Sequence, residues 1–157
     1  EPEPTNFQQL LLNSVTPNQC HRYAVCAIEQ GEVPMYLSKS EWNHTIARPV
    51  RGRAHILVPT ISFQEATKDC NCVKMDIEGG EFDIMDNADM SGFDKLIIAY
   101  HVNHDHARAN LEKRLQRLRK HYWVRTTKYP DVEYLDFFPN EIMIYCQRKI
   151  HINIKIR

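Results

Sequence analysis

Residues 95–102 read KLIIAYHV, an almost uniformly apolar run that follows the break SGF and leads into the polar segment NHDHAR. Eight residues fall far short of the roughly 18 needed to cross a membrane as a helix. The run also lacks the strict apolar and polar alternation of a strand with one wet face. A short, continuous apolar stretch of this kind suits a strand buried on both faces, and such strands belong to parallel sheets covered by helices. This requirement directs the chain toward an α/β layered domain.

The flanking segments fit that layering. Thr5 can cap a helix over NFQQLLLNS, with Phe7, Leu10, Leu11 and Leu12 as its apolar side. RYAVCAI at 22–28 is β-rich and ends at the turn signal EQGE, after which VPMYLS is expected as its hairpin partner. A polar, basic excursion, KSEWNHTIARPVRGR, carries Pro49 and Gly52 and is a candidate substrate loop. AHILVPTIS then returns to strand character, Ser62 introduces the helical FQEATKD, and NCVKMDI is a further short strand. GEFDIMDNA is a short helix. HARANLEKRLQRLRKHYW is the clearest one, with Leu111, Leu115 and Leu118 on its apolar side and basic residues on the other. YWVRTTKY and EIMIYCQRK supply a closing strand pair separated by PDVEYLDFFPN. IHINIKIR at 150–157 is an edge strand or a tail.

Composition limits the partners. The 157 residues are 43% hydrophobic and 25% charged, with Lys+Arg and Asp+Glu both at 20, which fits one soluble domain over 1–149 followed by the 150–157 tail. Zero net charge gives no global reason to expect nucleic acid or an acidic membrane surface, and KRLQRLRK reads as the solvated face of an amphipathic helix. EPEPTNFQQ has neither the basic start nor the apolar run of a signal peptide. Five cysteines without paired spacing give no disulfide framework, so reduced thiols and a cytoplasmic location are expected. CNC at 70–72 lacks the second cysteine pair of a zinc site.

The densest chemistry lies in VKMDIEGGEFDIM at 73–85, where a strand runs into Asp76, Glu78, Gly79, Gly80 and Glu81. A carboxylate at a strand exit can orient or deprotonate a hydroxyl group. The structural alternative is a tight turn in which the acids favour the following helix N-terminus and the glycines permit the geometry. Lys74 could pair with one of these acids or extend its stem along the surface. HVNHDHAR places His101 at the next strand exit, and a histidine suits proton removal near neutrality. Asp105 is a helix cap candidate, with His104 and His106 beside it. Trp42, Asn43 and His44 could stack on and hydrogen-bond a sugar. Asp76, Glu78, His101 and His104 are donors that a fold could bring to a divalent ion, but their spacing alone supports none, and no metal ligand is assigned.

VKMDIEGGEFDIM resembles the KxDxEGxExxxL signature of the FkbM-type methyltransferases, which use S-adenosylmethionine to methylate hydroxyl groups, often on sugars. EPEPTNFQQLLLN resembles that family's EPxPxNxxxLxxN segment, AVCAIEQGEV its AV-turn-GEV stretch, and FPNEIMIYC its closing strand. The resemblance covers residues 1 to about 148. It implies a Rossmann-like class I methyltransferase sheet, mostly parallel with an antiparallel last strand. It also implies that the first strand and the glycine-rich cofactor loop should lie before Glu1, so this chain reads as part of something longer and is expected to bind the cofactor weakly or not at all.

By the same resemblance Glu1 would hold the cofactor ribose, with Asn6 and Asp76 also on the cofactor. Asp76, His101 and Glu78 would act in catalysis, and Trp42, Asn43 and His104 would contact a glycan or other small-molecule acceptor. Ala99 stands where relatives carry an acid, which leaves that acid's role without a counterpart here. The alternative is a non-catalytic relative that serves as a binding or scaffold module.

Overall fold

A computed structural model describes residues 1–38, 44–47, 54–102, 105–127 and 141–149. The chain is mixed α/β and forms two compact units, Glu1–Lys68 with Ile77–Ala88, and Asp69–Asp76 with the described residues from Asp89 onward. Among the described residues no helix is long and apolar enough to cross a membrane.

The first unit begins with α1, Pro4–Asn13. Its cap is Glu3 rather than Thr5. The Glu3 Oε2 accepts the Asn6 N–H at 2.6 Å, and Pro4 takes the first helical position, where a missing N–H costs nothing. Partial burial pushes the Glu3 carboxyl up, but the backbone N–H groups of Asn6 and Thr5 more than offset this and hold it below the usual carboxylate range. The apolar side expected of this helix stays at the surface, since none of its residues is buried. A single 3-10 turn, Pro17–Gln19, follows.

Three strands come next: β1 (Ala24–Cys26), β2 (Glu32–Tyr36) and β3 (His55–Ser62), in the spatial order β1-β3-β2. The expected hairpin between β1 and β2 does not form, because β3 lies between them, parallel to β1 and antiparallel to β2. Thr60 explains the insertion. Its backbone N–H donates to Gly31 O at 2.8 Å, and its Oγ1 donates to the same carbonyl at 3.1 Å while accepting the Gln30 N–H at 2.9 Å. The turn is thus satisfied by a side chain between the two strands rather than by a direct ladder. Pro59 is tolerated inside β3 because the β1 ladder begins only at Thr60. Ala24, Met35 and Val58 form the sheet's buried cluster, with Val33, Leu37, Ile46 and Ile56 packed against it. Helix α2 (Phe63–Thr67) starts at Ser62, whose hydroxyl accepts the Glu65 N–H as the sequence leads one to expect. Helix α3 spans Glu81–Asn87 and buries Glu81, Ile84 and Met85.

The second unit holds β4 (Cys72–Met75), β5 (Lys95–His101), β6 (Tyr122–Thr126) and β7 (Glu141–Arg148), ordered β4-β5-β7-β6. Strand β7 pairs antiparallel with both β5 and β6, while β4 and β5 are parallel. Three strands therefore share one direction and the last opposes them. Partners across a ladder share a face. Met75, Leu96, Ile98, Tyr100, Ile142, Ile144, Cys146 and Tyr122 make one buried face, whereas Lys74, Ile97, Tyr145 and Trp123 stand on the other. Ala99 on that second face is buried too, which is why KLIIAYHV reads as continuously apolar. The Tyr122 hydroxyl donates to Met90 O and accepts the Phe93 N–H, tying the β6 start to the segment before β5.

Helix α4, Asp105–Arg119, contributes Leu115 and Leu118 to the interior. The expectation that its basic residues lie only on the outer side is corrected by Arg114, which is 6% exposed. Its Nη1 donates to the Tyr100 hydroxyl at 2.7 Å, and its guanidinium lies 5.8 Å from that ring's centre. Charge delocalisation and weak hydration make arginine the cation best suited to such burial. Arg114→Ala is expected to cost about 2–3 kcal/mol, since it removes a charged hydrogen bond together with buried packing; urea unfolding measures it.

All five cysteines are free. Burial pushes the Cys146 thiol up to about 12, and it raises Cys26 as well, with the Asp83 carboxylate adding to the effect. A raised thiol pKa favours the protonated form in the fold. The Cys146 contribution to stability is therefore full below the ordinary thiol value of 9.0 and is lost as pH rises from there toward about 12. At pH 8, alkylation followed by mass spectrometry should label exposed Cys70 and Cys72 quickly and reach Cys26 and Cys146 only after unfolding.

Candidate functional site

The second unit brings two of the expected catalytic residues together. The β4–β5 register pairs Met75 with Ile98, so Asp76, one residue beyond β4, and His101, the last residue of β5, emerge at neighbouring carboxyl ends. His101 Nε2 lies 4.0 Å from Asp76 Oδ1, and Lys74 Nζ lies 3.3 Å from Asp76 Oδ2. Both basic groups thus face one carboxylate. The imidazole is largely buried, and the carboxylate remains about half exposed.

A separation of 4.0 Å is too long for a direct hydrogen bond. It leaves room for one oxygen in contact with both groups. Asp76 and His101 together offer one oxygen and one nitrogen donor to an ion, and the third candidate, Glu78, belongs to the other unit.

The first unit holds the glycine turn that begins α3. Glu78 adopts φ 51, a left-handed conformation uncommon outside glycine, and Gly79 adopts φ 101. Glu81 is fully buried, and its Oε2 accepts the Gly79 N–H at 2.8 Å. Glu81 therefore fills the structural role for this motif, holding the turn at the helix N-terminus. Gly79 is required twice over: its φ suits only glycine, and a Cβ there would come within 3.1 Å of the Ala47 Cβ. The Thr45 hydroxyl donates to Glu78 O at 2.7 Å.

Beside the turn lies a cavity of about 270 Å³, with Val25, Cys26, Val33, Ile46 and Phe82 as its apolar walls and Gly79 and Gly80 along one side. Asp83 secures another wall. Its Oδ2 accepts the Ala27 N–H at 2.9 Å and its Oδ1 accepts from Asn87 Nδ2 at 2.8 Å, joining the end of β1 to α3.

The remaining expected site residues are placed as follows. The Glu1 carboxylate accepts the Glu3 N–H at 2.9 Å, and Asn6 sits in the first turn of α1. His44 Nδ1 accepts the Ser38 N–H at 2.9 Å, which leaves Nε2 to carry the proton of the neutral ring. Trp42, Asn43 and His104 lie outside the described residues. Sequence reasoning passed over Thr45 and Asp83. The only trace of Asp83 is its place in the first turn of α3, four residues before Asn87. Thr45 leaves no trace, since its partner is 33 residues away.

Glu78→Gly should relieve the left-handed strain and raise stability by about 1 kcal/mol, whereas Gly79→Ala should lower it by about 1–3 kcal/mol. Denaturant unfolding of both variants gives the comparison, and opposite signs are the expected result. Comparison of the chain with family models, with curated proteins and with solved structures gives no match.

Proposed function

We propose that the chain is an S-adenosylmethionine-dependent O-methyltransferase of FkbM type, acting on a hydroxyl of a glycan or another small molecule. The observation that carries this reading is the Asp76–His101 pair at adjacent strand ends, spaced for one oxygen between them. The four-stranded sheet of the second unit supports it, since three of its strands run one way and the last runs against them, as part of a Rossmann-like methyltransferase sheet would. Ligands of such open sheets sit beyond the carboxyl ends of the strands.

When bound, the cofactor supplies an electrophilic methyl group on a sulfonium. The cavity beside Gly79 and Gly80 fits its flat adenine, with apolar walls for the ring faces. Glu1 offers a carboxylate for the ribose hydroxyls, and Asn6 follows it on α1. An acceptor hydroxyl lodged between Asp76 and His101 gives its proton to His101 Nε2. Asp76 stabilises the resulting imidazolium, and the deprotonated acceptor oxygen would be the nucleophile toward a methyl group that the cofactor would supply when bound. Glu78 is the third catalytic candidate, and Trp42, Asn43 and His104 are the acceptor contacts in this reading. Five free thiols suit a reducing compartment such as the cytoplasm.

The test uses isotopically labelled methyl donor with a panel of glycans and small hydroxylated acceptors, on this chain and on one extended upstream to include a glycine-rich loop. The extended form is expected to transfer label. In it, Asp76→Asn and His101→Asn should each lower turnover by about 10²–10⁴-fold, with cofactor affinity held within about twofold in His101→Asn. Unchanged turnover in both variants would remove the pair from the chemistry. Micromolar cofactor binding by this chain alone would overturn the expectation that it needs the upstream loop.

A further inference from the structure

Of the excursion between β2 and β3, the described residues 44–47 meet the motif turn through Thr45. Thr45 exchanges backbone hydrogen bonds with Tyr36, 2.8 Å from the Tyr36 N–H and 3.2 Å from its own, so it is held against the end of β2. Its hydroxyl donates to Glu78 O at 2.7 Å and accepts the Ala47 N–H at 3.0 Å, so its donor and an acceptor site are both engaged. Ala47 in turn occupies the space that a side chain on Gly79 would need. Ile46 and Ala47 also line the cavity whose other side is Gly79, Gly80 and Phe82.

We propose that Thr45 is a positioning residue that couples this excursion to the Glu78–Gly79 turn and thereby sets the geometry of the cavity between them. The left-handed conformation of Glu78 costs energy for an L side chain and gains from support beyond the local chain. The Thr45 hydroxyl supplies that support at the Glu78 carbonyl itself. Valine matches threonine in shape but removes both bonds of the hydroxyl, whereas serine keeps them. Any group bound against residues 44–47 is then felt at the turn, and the reverse holds as well, since coupling between two sites is reciprocal. The coupling goes beyond the methyltransferase reading and does not depend on it, because it resides in contacts of the chain with itself.

Hydrogen exchange on the whole chain tests the coupling without any catalytic readout. Thr45→Val is expected to speed exchange of the 77–82 amides about tenfold, the effect of one lost hydrogen bond, while Thr45→Ser leaves them as they are. The amides of Ile98 and Ile144 should be unchanged in both variants and serve as the control for folding. Gly79→Ala should speed exchange at Thr45 and Ala47. If the 77–82 amides do not respond to valine, or if serine fails to restore them, the proposal is overturned.

Should the valine variant lose its fold, nuclear magnetic resonance of the unaltered protein decides. A slowly exchanging Thr45 hydroxyl proton with a coupling through the hydrogen bond to the Glu78 carbonyl carbon is the expected signal. A freely exchanging hydroxyl overturns the proposal. Absence of methyl transfer in the extended chain would count against the enzymatic reading alone and would leave these outcomes unaffected.

Discussion

The register between β4 and β5 is the constraint on which the candidate chemistry depends. Met75 opposite Ile98 puts Lys74, Asp76 and His101 on one face, and it puts Met75, Ile98 and Tyr100 on the other. A slip of one residue would send every side chain of a strand to the opposite face. Burial prevents that slip, because Leu96, Ile98 and Tyr100 are all 1% exposed or less and have apolar partners across β7. The Arg114 bond to the Tyr100 hydroxyl adds a directional restraint near the end of β5 where His101 emerges. Packing on one face therefore fixes polar geometry on the other.

The glycine turn shows a different balance. A left-handed Glu78 and a fully buried carboxyl group at Glu81 are each unfavourable in isolation, while the φ of 101 falls on Gly79, which adopts it readily. Together they satisfy one another, since the buried Glu81 accepts the Gly79 N–H and the Glu78 carbonyl receives the Thr45 hydroxyl. A buried carboxyl group with a donor at hand is far less costly than one without.

The unit-by-unit fold was legible where local rules and burial agreed. KLIIAYHV announced its strand because β5 is covered on both sides at Ala99 and Tyr100, and Ser62 announced α2 because its hydroxyl acts within three residues. The β1–β2 hairpin was misread because a turn signal says that the chain reverses without saying what enters between the arms, and Thr60 enters from 29 residues away. Arg114 was misread because a helical period assigns arginine outward, while its actual position follows from Tyr100 on a different element. At the site, Asp76 and His101 were readable as strand-exit residues. Thr45 and Asp83 were not, since each acts through a long-range bond to a backbone group, and a backbone group carries no sequence signal.

In the proposed reaction, the choice of His101 over Asp76 as proton acceptor rests on their different surroundings. Asp76 is about half exposed and has Lys74 Nζ 3.3 Å from its second oxygen, so that oxygen is already engaged. His101 is nearly buried, and imidazole is the group whose ordinary range suits proton removal near neutrality. At 4 Å the attraction between Asp76 and a newly formed imidazolium is about 1 kcal/mol in a water-like dielectric and about 4 kcal/mol at an effective value of 20. Solvent screening of the exposed carboxylate favours the lower figure until an acceptor displaces water from the gap. The pair is thus worth little to the resting fold and gains strength only with a hydroxylated ligand in place, which is the differential between bound reactant and transition state that a catalytic pair must supply.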